Sequence, residues 1–152
     1  MGMQLGIVTE QYLATEDHSW LGSRHGAEAP DGVTLDASTL SGIFTDGRVP
    51  SGLILQKITA TGLYGPLDVT TPAADGRQLI ATANIPDIRV LWMTTNLQAG
   101  GRFGQAFVNT GAPVLWHAEL VSAKLPRQTG SGSAAQTGVA AAINASGRFL
   151  LV

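Results

Sequence analysis

The chain has no cysteine among its 152 residues. Disulfide staples and thiolate metal sites are therefore excluded, and the redox compartment cannot be inferred from cysteine usage. Charge is also scarce, since charged residues make up 13% of the chain, where about 25% is typical of soluble domains. Interface cores are depleted in charge, so this composition favours a protein whose surface is partly covered by partners.

Lysine is almost absent. It occurs only at Lys57 and Lys124, so seven of the nine basic residues are arginine, whose planar guanidinium suits interfaces. The net charge is −2 and no basic run occurs, which argues against direct nucleic-acid binding. The amino terminus, MGMQLGIVTEQYLATED, has no basic region followed by an apolar block, so we expect no secretion signal. The apolar runs are far shorter than the roughly 20 residues of a membrane span, so we expect a soluble protein made in the cytoplasm, with no membrane partner.

Two parts of the chain differ in pattern. Residues 1–30 contain scattered turn formers and no sustained helix or strand period, and they end in the breaker sequence HGAEAPDG. We interpret this part as an extended N-terminal arm with little order of its own. The alternative, a strand-bearing part of the domain, stays open.

Residues 31–152 have the pattern of a β-rich domain. With 44% apolar but only 6% aromatic residues, its core is largely aliphatic. Short strands separated by Gly, Pro and Asp turns are predicted at 33–38, 53–60, 63–69, 77–85, 88–95, 101–108, 113–125 and 146–152. This spacing predicts a mainly β (α+β) fold, a compact sandwich or barrel with one short helix. The helix is predicted at 134–144, where alanine favours it, beside a flexible loop at 128–138, QTGSGSAAQTG.

The clearest single signal is the stretch GRVPSGLILQKITATGLYGPLD at residues 47–68. Its pattern is a turn, a strand, a tight reversal and a second strand, with an apolar face formed by Leu53, Leu55 and Ile58. No catalytic group lies in its centre. A chain whose strongest signal is structural is a building block more often than an enzyme.

The order of these pieces resembles the lambda-type bacteriophage head decoration proteins, also called capsid stabilising or cement proteins. The resemblance covers roughly residues 31–152. It rests on PSGLILQKITATGLYGPLD at 50–68, on VSAKLP at 121–126, on the alanine-rich segment and on the terminal GRFLLV. The chain departs from the family after the Asp-Gly-Arg turn, where an apolar Gly-Leu-Leu-Phe stretch is common and this chain has LIATANIPDIRVLWMTT. Its GSGSAAQTG linker is also longer.

The resemblance implies a virion structural protein without catalysis or cofactor. Such proteins bind as homotrimers at local or quasi three-fold positions on the outer surface of the expanded head. There they contact the major capsid protein and stabilise the shell against the pressure of packaged DNA. The family's N-terminal segment becomes ordered against the capsid, and an arm of this kind can add as a strand to an exposed sheet edge. Three arms on one trimer raise the avidity.

Aromatic residues are the candidates for these contacts, because buried aromatics contribute a disproportionate share of interface energy. The candidate capsid-binding residues of the arm are Tyr12, Leu13, Trp20 and Leu21. For Trp20 an alternative is open, in which the side chain folds back onto its own domain. The candidates for the core or the trimer interface are Tyr64, Trp92 and Trp116.

Other functions are weaker alternatives. His18, His25 and His117 lack the spacing of a metal site, so no metal ligand is predicted. Within structural proteins, the alternative is another small β-rich virion component, such as a tail or head-completion protein. The remaining alternative is a small β-barrel ligand-binding protein or hydrolase, which would use His117 and Glu119 on one face of a strand.

Overall fold

The computed structural model describes residues 16–67, 87–126 and 147–152. The domain is mainly β, and five strands close into a barrel in the order β1-β4-β3-β5-β7. The strands are β1 Asp31–Leu35, β2 Arg48–Val49, β3 Ile54–Lys57, β4 Tyr64–Pro66, β5 Ile88–Leu91, β6 Thr95–Asn96, β7 Thr110–Leu115, β8 Ala118–Leu120 and β9 Phe149–Leu151. Within the described ranges, one short helix, α1, spans Ala37–Leu40, and two 3₁₀ helices span Ala99–Gly101 and Ser122–Lys124.

Most neighbouring strands of the barrel are antiparallel. The exception is the contact of β1 with β4, which is parallel and consists of the single pair Leu35 and Tyr64. On its other edge β1 pairs with β7 over five residues, from Asp31 opposite Val114 onwards. Two small ladders flank the barrel, the antiparallel pair β2–β6 and the parallel pair β8–β9. The predicted mainly β, barrel-like fold is confirmed.

Both faces of the barrel wall are buried. Because strand side chains alternate, neighbouring residues contribute to different cores: Ile54 packs on one face, and Leu53 and Leu55 pack on the other. The first core, the Trp20 cluster, consists of Trp20, Ile54, Leu67, Ile88, Val90, Leu115, Ala118, Leu120 and Phe149. The second, the Leu35 cluster, consists of Leu35, Leu40, Val49, Leu53, Leu55, Tyr64, Leu91, Leu97, Ala112 and Val114. Apart from two aromatics in the first and one in the second, these side chains are aliphatic, as the composition predicts.

Residues 16–30 are not an extended arm, which corrects the predicted boundary at residue 30. Trp20 is 1% exposed and belongs to the first core. Leu21 forms a β-bridge with Leu120, the Gly22 N–H donates to the Glu119 carbonyl at 2.8 Å, and the Val121 N–H donates to the Trp20 carbonyl at 2.7 Å. Of the two alternatives for Trp20, folding back onto its own domain is the observed one. The apolar indole is removed from water there without a partner protein.

The Trp20 side chain packs against the Pro-Ser-Gly sequence at residues 50–52. Gly52 has φ +83°, and a Cβ at that position would lie 2.7 Å from Cδ1 of Trp20. The Trp20 indole N–H donates to the Ser51 hydroxyl at 3.3 Å, and that hydroxyl donates to the Asp17 carbonyl at 2.8 Å. Glycine makes room for the ring and serine satisfies its buried polar atom, so this short motif anchors the N-terminal segment.

Several predicted strands are confirmed and others are shortened. The strand predicted at 33–38 ends at Leu35, because the Asp36 side chain accepts from the Ser38 N–H at 2.9 Å and caps α1. The strand predicted at 113–125 is interrupted after Leu115 and again after Leu120. The strand predicted at 101–108 is wrong, since glycine-rich turns occupy that range.

Other predictions lie outside the described residues. These are the strand at 77–85, the flexible loop at 128–138, the helix at 134–144, and the arm residues Tyr12 and Leu13. Within the described part, β9 at Phe149–Leu151 confirms the predicted closing strand at 146–152.

We expect Trp20→Ala to lower the free energy of unfolding by about 3–5 kcal/mol, because it leaves a cavity in the first core. Gly52→Ala should cost on the order of 1–3 kcal/mol, since it combines a clash with a strained φ. Urea denaturation measures both. Arg24→Ala, at an exposed position of the same segment, is the control and should stay within about 0.5 kcal/mol of wild type. Wild-type stability of the Trp20 variant would contradict the anchoring role.

Candidate interaction surface

The most exposed large apolar side chain among the described residues is Phe103, at 86%. It lies at the tip of residues 97–108, which we call the Phe103 hairpin and which connects β6 to β7. Its stem is closed by the Val108 N–H, which donates to the Leu97 carbonyl at 2.8 Å, and by the Ala99 N–H, which donates to the Ala106 carbonyl at 2.9 Å. The hairpin is therefore a hydrogen-bonded projection from the barrel.

Glycine makes this tip possible. Gly100, Gly101 and Gly104 have φ values of +64°, +69° and +80°, a region that side-chain-bearing residues rarely adopt. No atom lies within 4 Å of a Cβ built at any of the three. The requirement for glycine here comes from the backbone conformation, since there is space for a side chain.

Two side chains brace the tip from below. The Asn96 amide donates to the Gly101 carbonyl at 3.0 Å, and its oxygen accepts from the Gln98 N–H at 2.9 Å. Gln98 is buried, and its side-chain amide lies 3.2 Å from the Arg102 carbonyl and 3.1 Å from the Gly104 N–H, so the orientation that points its nitrogen at that carbonyl satisfies both backbone groups. Because these bonds hold the tip backbone, binding through Phe103 would cost little additional ordering of the loop.

A phenyl ring held in water in this way is suited to an interface. Burying it would contribute roughly 1.5–3 kcal/mol, and aromatic and arginine side chains are enriched at interface centres. Arg102 precedes Phe103 and is also exposed. Further along the hairpin, Phe107 and Val108 are 37% and 42% exposed. The hairpin thus presents an apolar surface beside a cation.

A cleft opens where β1 and β4 separate, and we call it the β1–β4 cleft. These strands meet only at the pair Leu35 and Tyr64, so Asp31–Thr34 diverges from the turn that precedes β4. The resulting open cleft has a volume of about 830 Å³, and its apolar lining includes Val33, Leu63 and Pro113. Asp31 contributes a carboxylate to this lining.

Tyr64 belongs to the core and contacts a polar cluster at the barrel surface. Its hydroxyl donates to Oδ2 of Asp87 at 2.8 Å. Asp87 also forms an ion pair with Arg89 and lies 3.7 Å from Nη1 of Arg148. Burial, the hydrogen bond to Asp87 and the charge of that carboxylate raise the pKa of Tyr64 to about 12. The cluster joins β4 and β5 to the residue that precedes β9.

The other aromatic candidates have different environments. Trp92 is partly buried against the first core, and the His18 ring stacks on it with centroids 4.1 Å apart and planes at 7°. Nε2 of His18 donates to the Trp92 carbonyl at 2.9 Å. Trp116 is 43% exposed, so it is not a core residue of this chain. Its place in a trimer interface stays a prediction.

His117 and Glu119 do not share a strand. β7 ends at Leu115, so His117 lies in the connection to β8, while Glu119 lies in β8 itself. The His117 ring faces His25, with centroids 5.1 Å apart, and Glu119 lies against Gly22, where a Cβ would be 2.7 Å from its Oε1. Neither residue lines the β1–β4 cleft. In the described ranges, no group of three or more His, Cys, Asp or Glu side chains has the arrangement of a metal site.

Comparison with known proteins adds no relative, since no protein-family model matches the chain and no curated protein does. None of the helices in the described part is long and apolar enough to cross a membrane.

The sequence pattern does not predict the Phe103 hairpin, because the apolar residues of GRFGQAFV imitate strand alternation. Three glycines within five positions were the available signal, since glycine in a strand weakens it and marks turns. The bracing roles of Asn96 and Gln98 have no comparable signal in the sequence.

The raised pKa of Tyr64 predicts a loss of stability at high pH. The folded state keeps the phenol proton where the unfolded state releases it, so stability is fully present below pH 10.0 and falls as the pH rises towards about 12. Tyr64→Phe should cost about 1 kcal/mol at neutral pH and should reduce this alkaline loss. Tyr12→Phe leaves Tyr64 as the single tyrosine, and its ultraviolet titration should have its midpoint near 12. A midpoint near 10.0 would show that the Asp87 contact is absent in solution.

We expect Gln98→Ala to loosen the tip of the Phe103 hairpin while the barrel stays intact. The Gly104 amide loses its acceptor, so its hydrogen exchange should be roughly fivefold to tenfold faster. Gln105→Ala, at an exposed position of the same tip, is the matched control. Equal exchange in both variants would mean that Gln98 does not brace the tip.

Proposed function

We propose that this protein decorates a bacteriophage capsid, binding as trimers to the outside of the expanded head and stabilising it against internal DNA pressure. It does so as a structural component of the virion, with the major capsid protein and other copies of itself as partners. The proposal rests on the resemblance of residues 31–152 to the head decoration proteins and on the surface of the domain.

The observation that carries the proposal is the rigid presentation of apolar side chains to solvent. Phe103 is 86% exposed on a braced hairpin, although each core of the barrel is closed without it. Trp116, directly after β7, is 43% exposed, and Leu150, in β9, is 60% exposed. A chain with only 13% charged residues and such side chains at its surface is typical of an assembly component, because burial against partners removes this apolar area from water.

The attachment of the N-terminal segment supports the same function. The Glu16 carboxylate accepts from the Thr94 N–H at 3.0 Å and from its hydroxyl at 3.0 Å, and Trp20 anchors the chain four residues later. Glu16, which directly follows residues 1–15 with Tyr12 and Leu13, is therefore held at a defined point on the barrel. We assign capsid contact to this segment and separate it from residues 16–30, whose contacts are within the domain.

Co-sedimentation with shells that lack the protein tests the function. Wild-type protein should bind expanded shells saturably, at a stoichiometry in threes, and should leave unexpanded shells unbound. Binding to neither kind of shell would overturn the proposal. A variant that lacks residues 1–15 keeps Glu16 and Trp20, so it should have wild-type stability to urea and at least roughly tenfold weaker binding, since three arms contribute together. Full-affinity binding of this variant would instead remove the role assigned to residues 1–15.

A further inference from the structure

The Phe103 hairpin and the β1–β4 cleft both present apolar side chains at the surface. Phe103 is 86% exposed, so it does not enter the cleft of its own chain. The cleft is open to solvent, and its volume of about 830 Å³ leaves room for a phenyl ring. Its apolar lining by Val33, Leu63 and Pro113 matches a phenyl ring.

They are complementary in charge. Arg102, next to Phe103, is exposed and forms no ion pair with the described residues. In the cleft, Oδ1 of Asp31 accepts from the Gly32 N–H at 2.8 Å, which leaves Oδ2 as a second acceptor. A guanidinium beside an inserted aromatic ring would meet this carboxylate, and such a charge-assisted hydrogen bond is stronger than a neutral one.

We propose that the Phe103 hairpin of one copy docks into the β1–β4 cleft of a second copy of this chain. Phe103 occupies the apolar part of the cleft and Arg102 of the incoming hairpin pairs with Asp31. The bracing of the tip by Gln98 favours this docking, because a rigid hairpin loses little conformational entropy when it binds.

Such a contact joins two different patches, so every copy offers both a hairpin and a cleft. A heterologous contact of this kind either closes into a ring or continues as an open chain. Closure at three copies rests on the proposed function, whereas the contact between two copies does not.

Cross-linking tests the contact directly, because the chain has no cysteine and introduced thiols are the only ones present. Gln105→Cys at the hairpin tip with Thr61→Cys in the cleft should give products of up to three chains with a short thiol-to-thiol cross-linker. The control pair, Ser19→Cys with Thr61→Cys, keeps the cleft thiol and moves the other to an exposed site outside the hairpin. Cross-linking no greater than in the control pair would overturn the proposal and leave the cleft to another ligand.

Charge reversal tests the pairing of Arg102 with Asp31. Arg102→Asp and Asp31→Arg should each weaken self-association by roughly tenfold in sedimentation velocity, and the double variant should recover most of it. Arg24→Asp, another exposed arginine, is the control and should associate as wild type does. Single variants that associate like wild type, or a double variant without recovery, would remove the ion pair from the proposal. Neither experiment uses capsid shells, so its failure is distinguishable from a failure of shell binding.

Discussion

The insertion of Trp20 into the barrel wall is the contact on which most of the structure depends. It needs the missing side chain of Gly52 and the hydroxyl of Ser51, and it connects the first described residues to the last strands, because Leu120 and Phe149 lie in the same core. Without it, the part of the five-stranded wall that Trp20 covers would be exposed to water. A barrel this small is stable as a single layer only when both of its faces are covered, and Trp20 with β8 and β9 covers one of them.

The burial of Trp20 also distinguishes aromatic residues that stabilise the domain from those that remain exposed. Side chains that are buried within the domain stabilise its fold. Side chains that stay exposed are available for contact with a partner. Trp20 and Leu21 belong to the first group, since their contacts are with residues of β8 and its surroundings. On the proposed function Phe103 belongs to the second, because the side chains of Asn96 and Gln98 hold the tip backbone while the ring remains in solvent. Stability and assembly are thus assigned to different aromatic residues.

Much of the barrel could be predicted from local pattern. Alternation around Leu53 and Leu55 and the reversal at Gly62 predicted β3 and β4, because a buried face and a positive φ are both encoded within a few residues. The same reasoning failed at 101–108, where two phenylalanines four positions apart imitate alternation but glycine governs the backbone. It also missed the end of β1, although Asp36 is a common helix cap and was a usable signal.

The sequence by itself determined the composition of the core, the fold class and the absence of thiol chemistry, because these depend on residue types and on short-range periodicity. Only the tertiary structure decided that Trp20 lies inside the domain, that Tyr64 contacts Asp87, and that the separation of β1 from β4 leaves a cleft. Each of these depends on residues more than 20 positions apart or on which strand edges meet. Such contacts follow from the closure of the barrel, and no local pattern of residues encodes them.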